Sequence, residues 1–248
     1  MKIIKILLCT ALIIATGCTE LTLKQQYQKA VKDAAIVKTK EKTNTLLAIT
    51  PNNSKLIWNE DKTKLLVVTW KSRGVYDKFV KNKSQASSDP NHILWVSVAP
   101  QVKAFCQAYE HDTDEELNVR LKQYLGLAPD WQYDVFVEMW VSPEHLFRPC
   151  VDPEINDTQC ETNVPDKFPT KITSNRIPEN YDQFYKNLYF KSFRGEDKYR
   201  APWTGLGYTY DWGNDDSDIG ASEFILMPNA PYQIKQVLTT HEYCAKPH

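Results

Sequence analysis

The sequence predicts an α+β fold: one domain on a largely antiparallel sheet of about six strands, with two or three helices, stapled by two disulfides. Three observations carry this reading. Segments with strand character outnumber those with helical periodicity. Most neighbouring strand segments are joined by short polar turns, which favours antiparallel pairing over alternating βαβ units. No Gly/Ser-rich linker and no internal repeat interrupts the chain after residue 45, so residues 46–248 read as a single domain.

The strands come in order. Lys55–Trp58 and Lys64–Trp70 flank Asn59-Glu60-Asp61-Lys62, which has the composition of a four-residue hairpin turn. A polar loop, Asn82–Asn91, leads to the strand His92–Val98. Tyr133–Val141 alternates Tyr133, Val135, Val137 and Met139 with Asp134, Phe136, Glu138 and Trp140; neither set is purely polar, so both faces are expected to be partly covered. Ser222–Met227 and Tyr232–Leu238 are separated by Pro228-Asn229-Ala230-Pro231, a second hairpin signal.

Two helices are predicted within the domain. Thr113-Asp114-Glu115-Glu116 reads as a capping box opening a helix through Leu117, Arg120, Leu121 and Tyr124, with a stop near Gly126. Tyr181, Phe184, Tyr185, Leu188 and Tyr189 recur at helical spacing between Glu179 and Phe193. Residues 18–45 are polar and Lys-rich; Ala30, Val31, Ala34 and Ala35 permit a short helix there, but the segment reads chiefly as a solvated tether.

Composition excludes several function classes. The 248 residues carry a formal charge of -1 with charged residues at 25%, and the lysines are scattered without aromatic–basic interleaving, which argues against a nucleic-acid partner. Eight Gly and 14 Pro exclude collagen-like and low-complexity classes.

The amino terminus supplies an address. Lys2 and Lys5 precede Ile6–Ala15, an almost wholly apolar run, and Thr16-Gly17-Cys18 follows. The run is about ten residues, which suits the hydrophobic region of an export signal and falls short of the ~20 residues a bilayer-spanning helix needs. Ala15-Thr16-Gly17-Cys18 resembles the lipobox of bacterial lipoprotein precursors, with small residues before an obligatory Cys and Ala15 where that family usually has Leu. The resemblance covers residues 1–18. It implies a signal peptide over 1–17, cleavage before Cys18, and acylation of the Cys18 thiol and new amino terminus, with two or three acyl chains giving durable attachment. Thr19 after the Cys resembles the pattern sorted to the outer membrane of Gram-negative envelopes. The rival reading is an ordinary secretory signal cut near Gly17.

With Cys9 lost in the signal and Cys18 lipidated, Cys106, Cys150, Cys160 and Cys244 remain. An even number in an oxidising compartment permits two disulfides in three connectivities. Pro149, Asp152, Pro153, Asn156 and Asp157 make the segment between Cys150 and Cys160 a turn-rich loop, so Cys150–Cys160 is expected and Cys106–Cys244 follows by elimination. A zinc site is the competing use of four Cys, but no CxxC pair is present.

Candidate chemistry concentrates in residues 202–218. Asp211, Asp215, Asp216 and Asp218, with the Asn214 carbonyl, are hard oxygen ligands of the kind Ca²⁺ takes, although their spacing does not fit an EF-hand loop. Trp203, Tyr208, Tyr210 and Trp212 form either a stacking platform for a ligand or part of the core. Of the histidines, His241 beside Glu242 and Cys244 is the most suggestive, yet no GxSxG or HExxH motif accompanies it. The leading expectation is a lipid-anchored envelope protein whose exported domain binds a protein or small ligand without catalysis and without a cofactor. The alternatives are an envelope hydrolase or metal-assisted enzyme using the 208–218 loop and His241, and a structural envelope lipoprotein.

Overall fold

Strand β1 (Leu65–Lys71), a run of β-branched, aliphatic and aromatic residues, lies near the middle of the sheet in the computed structural model, which describes residues 20–246. It pairs along its whole length with β3 (Val135–Val141), from Leu65↔Val141 to Lys71↔Val135, and on its other side with β2 (Leu94–Val98). Strand β6 (Ile219–Leu226) joins β2 and carries the short β4 (Leu146–Phe147) and β5 (Tyr208–Tyr210). Strand β7 (Tyr232–Thr239) closes the other edge beside β3, giving the order β4-β6-β2-β1-β3-β7 with every pairing antiparallel. The α+β class and the antiparallel sheet are therefore as the sequence predicts. Cys18 and the signal segment lie outside the described residues.

One expected hairpin is shortened and the other is replaced. Lys55–Trp58 is no strand: it touches β1 through the Trp58↔Leu65 bridge and the Leu66 N–H, which donates to the Ile57 carbonyl. Strands β6 and β7 are adjacent in sequence but sit at separate places in the sheet. The reason lies in their connection. Asn229 adopts a left-handed φ of 61° and donates to the Ala86 carbonyl, Ala86 donates to Ala230, and Tyr232 donates to Ser84. Segment 84–86 thus captures the turn, and Pro231 has no N–H to give to a ladder.

Helices cover both faces, and the described residues hold six rather than two or three. Helix α1 (Leu23–Ala34) is opened by a Thr22–Gln25 capping box and α2 (Arg73–Phe79) by the Ser72 hydroxyl. Helix α3 (Ala99–Ala108) continues directly from β2 with Pro100 in its first turn, where proline's missing N–H costs nothing. Thr113 caps α4 (Asp114–Tyr124) as expected, but Glu116 accepts from Asp112 rather than closing the box on Thr113. Helix α5 (Tyr181–Arg194) matches the aromatic periodicity, and α6 (Thr240–Cys244) has a complete box between Thr239 and Glu242. The short α2 and α6 and the strand-like entry to α3 gave no helical period to read.

Alternation along the strands builds two cores. Leu65, Val67, Val96, Val98, Val137 and Phe224 pack against Leu47, Leu56, Tyr76 and Val80 on one face. Leu66, Val68, Trp70 and Phe136 pack against α3, α4 and α6 through Val102, Leu117, Leu121 and Tyr243 on the other. Each buried aliphatic side chain adds roughly 1.5–3 kcal/mol. Cys106–Cys244 ties α6 to α3, and Cys150–Cys160 closes the turn-rich loop, both as expected. Within the segment read as a tether, Tyr27, Ala30, Val31 and Ala34 of α1 are buried, the first three against Ala128 and Trp212.

Candidate functional site

The sheet opens at one place. Strands β1 and β2 pair at Val67↔Val98 and Val68↔Ser97, although β1 runs on to Lys71 and β2 starts at Leu94. Each strand is held by its other neighbour. The end of β1 follows β3 to the Lys71↔Val135 pair, and Trp70 stacks on Phe136 and Tyr133 with ring centroids 5.2 and 4.8 Å away. The Trp70 indole also donates to the Thr240 hydroxyl at 3.0 Å. Strand β2 stays with β6 through four pairs, from Leu94↔Leu226 to Ser97↔Glu223. Between the parted ends lies a cavity of about 320 Å³, bounded by both strands, by α5 at Leu188 and Ser192, and by the 125–133 and 199–203 segments. That volume lies at the small end of the range for small-molecule sites.

The walls are mostly apolar and aromatic, and the ionisable Lys71 and Glu223 are among the residues that line them. Lys71 and Glu223 lie deep in the molecule, yet each keeps partial accessibility and lines the cavity. Neither side chain has a hydrogen-bond or ion-pair partner among the described residues. Burial alone lowers the Lys71 ammonium to about 8 and raises the Glu223 carboxyl to about 8. The Trp203 indole also lines the cavity, and its buried Nε1–H has no acceptor. Leaving such a donor unpaired costs about 1–3 kcal/mol. Three residues with unsatisfied polar side chains among those lining one largely apolar space make this the place in the fold best prepared for a bound molecule.

The residues singled out from sequence disperse. Trp203 and Tyr210 reach the cavity, the Tyr210 hydroxyl donating to Asp33 at 3.0 Å. Tyr208 is buried beside the Cys150–Cys160 bridge and donates to the Glu41 carbonyl at 2.9 Å. Trp212 is buried against α1, its ring edge-on to Tyr27 and its indole donating to the Leu127 carbonyl at 3.1 Å. The four rings form no shared platform.

The acids disperse likewise. Asp211 is buried and accepts two bonds from the Arg120 guanidinium, at 2.8 and 2.7 Å, plus the Gly213 N–H. Asp215 and Asp216 are exposed, whereas Asp218 is partly covered and burial raises its carboxyl above the usual range. With Asp211 committed to Arg120, one of the four candidate Ca²⁺ ligands is already paired. Among the described residues, Cys150, Asp152 and Cys160 bring three ligand-type atoms together, but both sulfurs are consumed in the disulfide. His241 is exposed and meets Asp114 at 3.2 Å; it lines a second cavity beside Cys106–Cys244, apart from Asp211 on Arg120. No helix among the described residues is long and apolar enough to cross a membrane.

Sequence reasoning missed Lys71 and Glu223. The available signal was a single charge at the end, or in the middle, of an otherwise apolar strand. Compared with known proteins, the chain matches no family model, and neither curated proteins nor solved structures show a similarity to it.

Proposed function

We propose that this chain is a lipid-anchored protein of the bacterial cell envelope, and that its exported domain binds a small ligand between the parted ends of β1 and β2. The lipobox-like Ala15-Thr16-Gly17-Cys18 supports the anchor, and Thr19 after it favours the outer membrane in a Gram-negative cell. One observation carries the binding reading: among the described residues Lys71, Glu223 and the Trp203 indole lack side-chain partners, and all three line the same cavity. Isolated charges in an apolar interior are costly, and a ligand that pairs with them offsets that cost. Binding is favoured over catalysis because, among the described residues, no hydrogen bond or ion pair joins Lys71 to Glu223, so they do not form an acid–base pair.

Two measurements test the two halves. Cells fed a radiolabelled fatty acid should label the wild-type chain and not the Cys18→Ser variant; equal labelling removes the anchor. Native mass spectrometry of the Cys18→Ser chain should show a co-purifying small molecule that Trp203→Ala releases. A protein that purifies empty, and whose melting temperature no compound in a broad metabolite screen raises, ends the binding reading.

A further inference from the structure

Resting on the ligand reading above, we propose that the cavity takes an apolar organic anion: a monocarboxylate whose acid group meets the Lys71 ammonium while its hydrocarbon or aromatic body lies among Trp95, Trp203 and Leu188. From β1 comes Lys71, from β6 Glu223, and from α5 Lys191; the phenols of Tyr133, Tyr199 and Tyr210 complete the titratable set. Burial raises Tyr133 and Tyr210 far beyond the physiological range, so these phenols stay neutral. Near pH 7 Lys71 is mostly protonated, and Glu223, pushed up to about 8, is mostly the neutral acid. The cavity then presents an unpaired ammonium together with neutral donors, the Glu223 carboxyl and the Trp203 Nε1–H. It is a site for an anion and hydrogen-bond acceptors.

A cationic ligand finds no counter-charge here, because the single acid in the wall is protonated. A neutral apolar ligand fills the space but leaves the Lys71 charge desolvated and alone. A carboxylate restores to Lys71 what burial removed, and the apolar walls take its body out of water. The pH dependence has a definite sign. As pH rises through about 8, Lys71 loses its proton and Glu223 gains a negative charge, and both changes oppose an anion.

The experiment uses the full mature chain carrying Cys18→Ser, titrated calorimetrically with 2-naphthoate, 2-naphthol and 2-naphthylmethylamine. The expected result near pH 6.5 is 2-naphthoate binding about tenfold or more tighter than the alcohol, with the amine weakest. Lys71→Met should remove the carboxylate preference while leaving affinity for 2-naphthol unchanged, and Lys71→Arg should restore it. Raising the pH to about 9 should weaken 2-naphthoate by about tenfold, and Glu223→Gln should reduce that loss. Equal binding of the three probes, or a preference for the amine, overturns the anion assignment and leaves the ligand reading standing. Carboxylate affinity untouched by Lys71→Met also overturns it. No binding by any of the three overturns the anion assignment, whereas the ligand reading falls only with a protein that purifies empty and that no screened compound stabilises.

Discussion

Lys71 and Glu223 act on the fold as well as on a ligand, and with opposite signs along the pH axis. The unfolded chain keeps a lysine protonated up to about its ordinary 10.5, whereas folded Lys71 releases its proton near 8. Its penalty is therefore full below pH 8 and is relieved as pH climbs from there toward 10.5. Glu223 costs nothing below its ordinary 4.5; from 4.5 to about 8 the unfolded state ionises while the folded state stays protonated, so stability falls. The two contributions together make a trough near pH 8. Lys71→Met should raise stability at pH 7 by up to roughly 3 kcal/mol, an effect that fades from pH 8 and is gone by about 10.5. Glu223→Gln should stabilise at pH 8 and be neutral at pH 4.5. Urea denaturation across this range checks both; two variants that destabilise at every pH would refute the account. At this scale the site was poorly legible in the sequence. The clustered aspartates attracted notice, yet Asp211 serves Arg120. Lys71 looks like any strand-ending lysine until register places it at the point where two strands part.

Helices and strands differ in how openly they declared themselves. The long periodic elements, α4 and α5, and the apolar runs of β1, β2 and β3 fall where pattern placed them, because period and burial agree there. The β6–β7 hairpin failed because a turn sequence records that the chain reverses, not which strand it will meet; Ser84 and Ala86 decided that. Helix α1 shows another limit. Its residues are polar by composition, and 12 residues form a marginal helix alone, so its order depends on Tyr27, Ala30 and Val31 docking against Trp212 and Ala128. The Tyr27 hydroxyl also donates to the Arg200 carbonyl at 3.0 Å. Tyr27→Ala should release α1 from the domain. Hydrogen exchange would then show residues 23–34 losing protection while β1 and β3 keep theirs; retained protection in α1 would mean that its docking does not depend on this ring.

Taken whole, the described molecule is one sheet coated on both faces, with its last helix and one loop held covalently. The Cys106–Cys244 bridge spans 138 residues and the Cys150–Cys160 bridge spans 10. Loop-closure entropy makes the long bridge worth about 4–5 kcal/mol and the short one about 3 kcal/mol or less. A Cys106→Ser/Cys244→Ser variant should accordingly lose more in its denaturation midpoint than Cys150→Ser/Cys160→Ser; the reverse order would show that strain or residual structure outweighs chain entropy here. The two separations also impose a schedule. A chain emerging amino terminus first, from a ribosome or through a membrane pore, presents Cys106, then Cys150 and Cys160, and only much later Cys244. During that interval Cys106 is a thiol without its mate, beside two others that could capture it. Rapid closure of the 10-residue loop takes Cys150 and Cys160 out of competition, so the small bridge protects the correct formation of the large one.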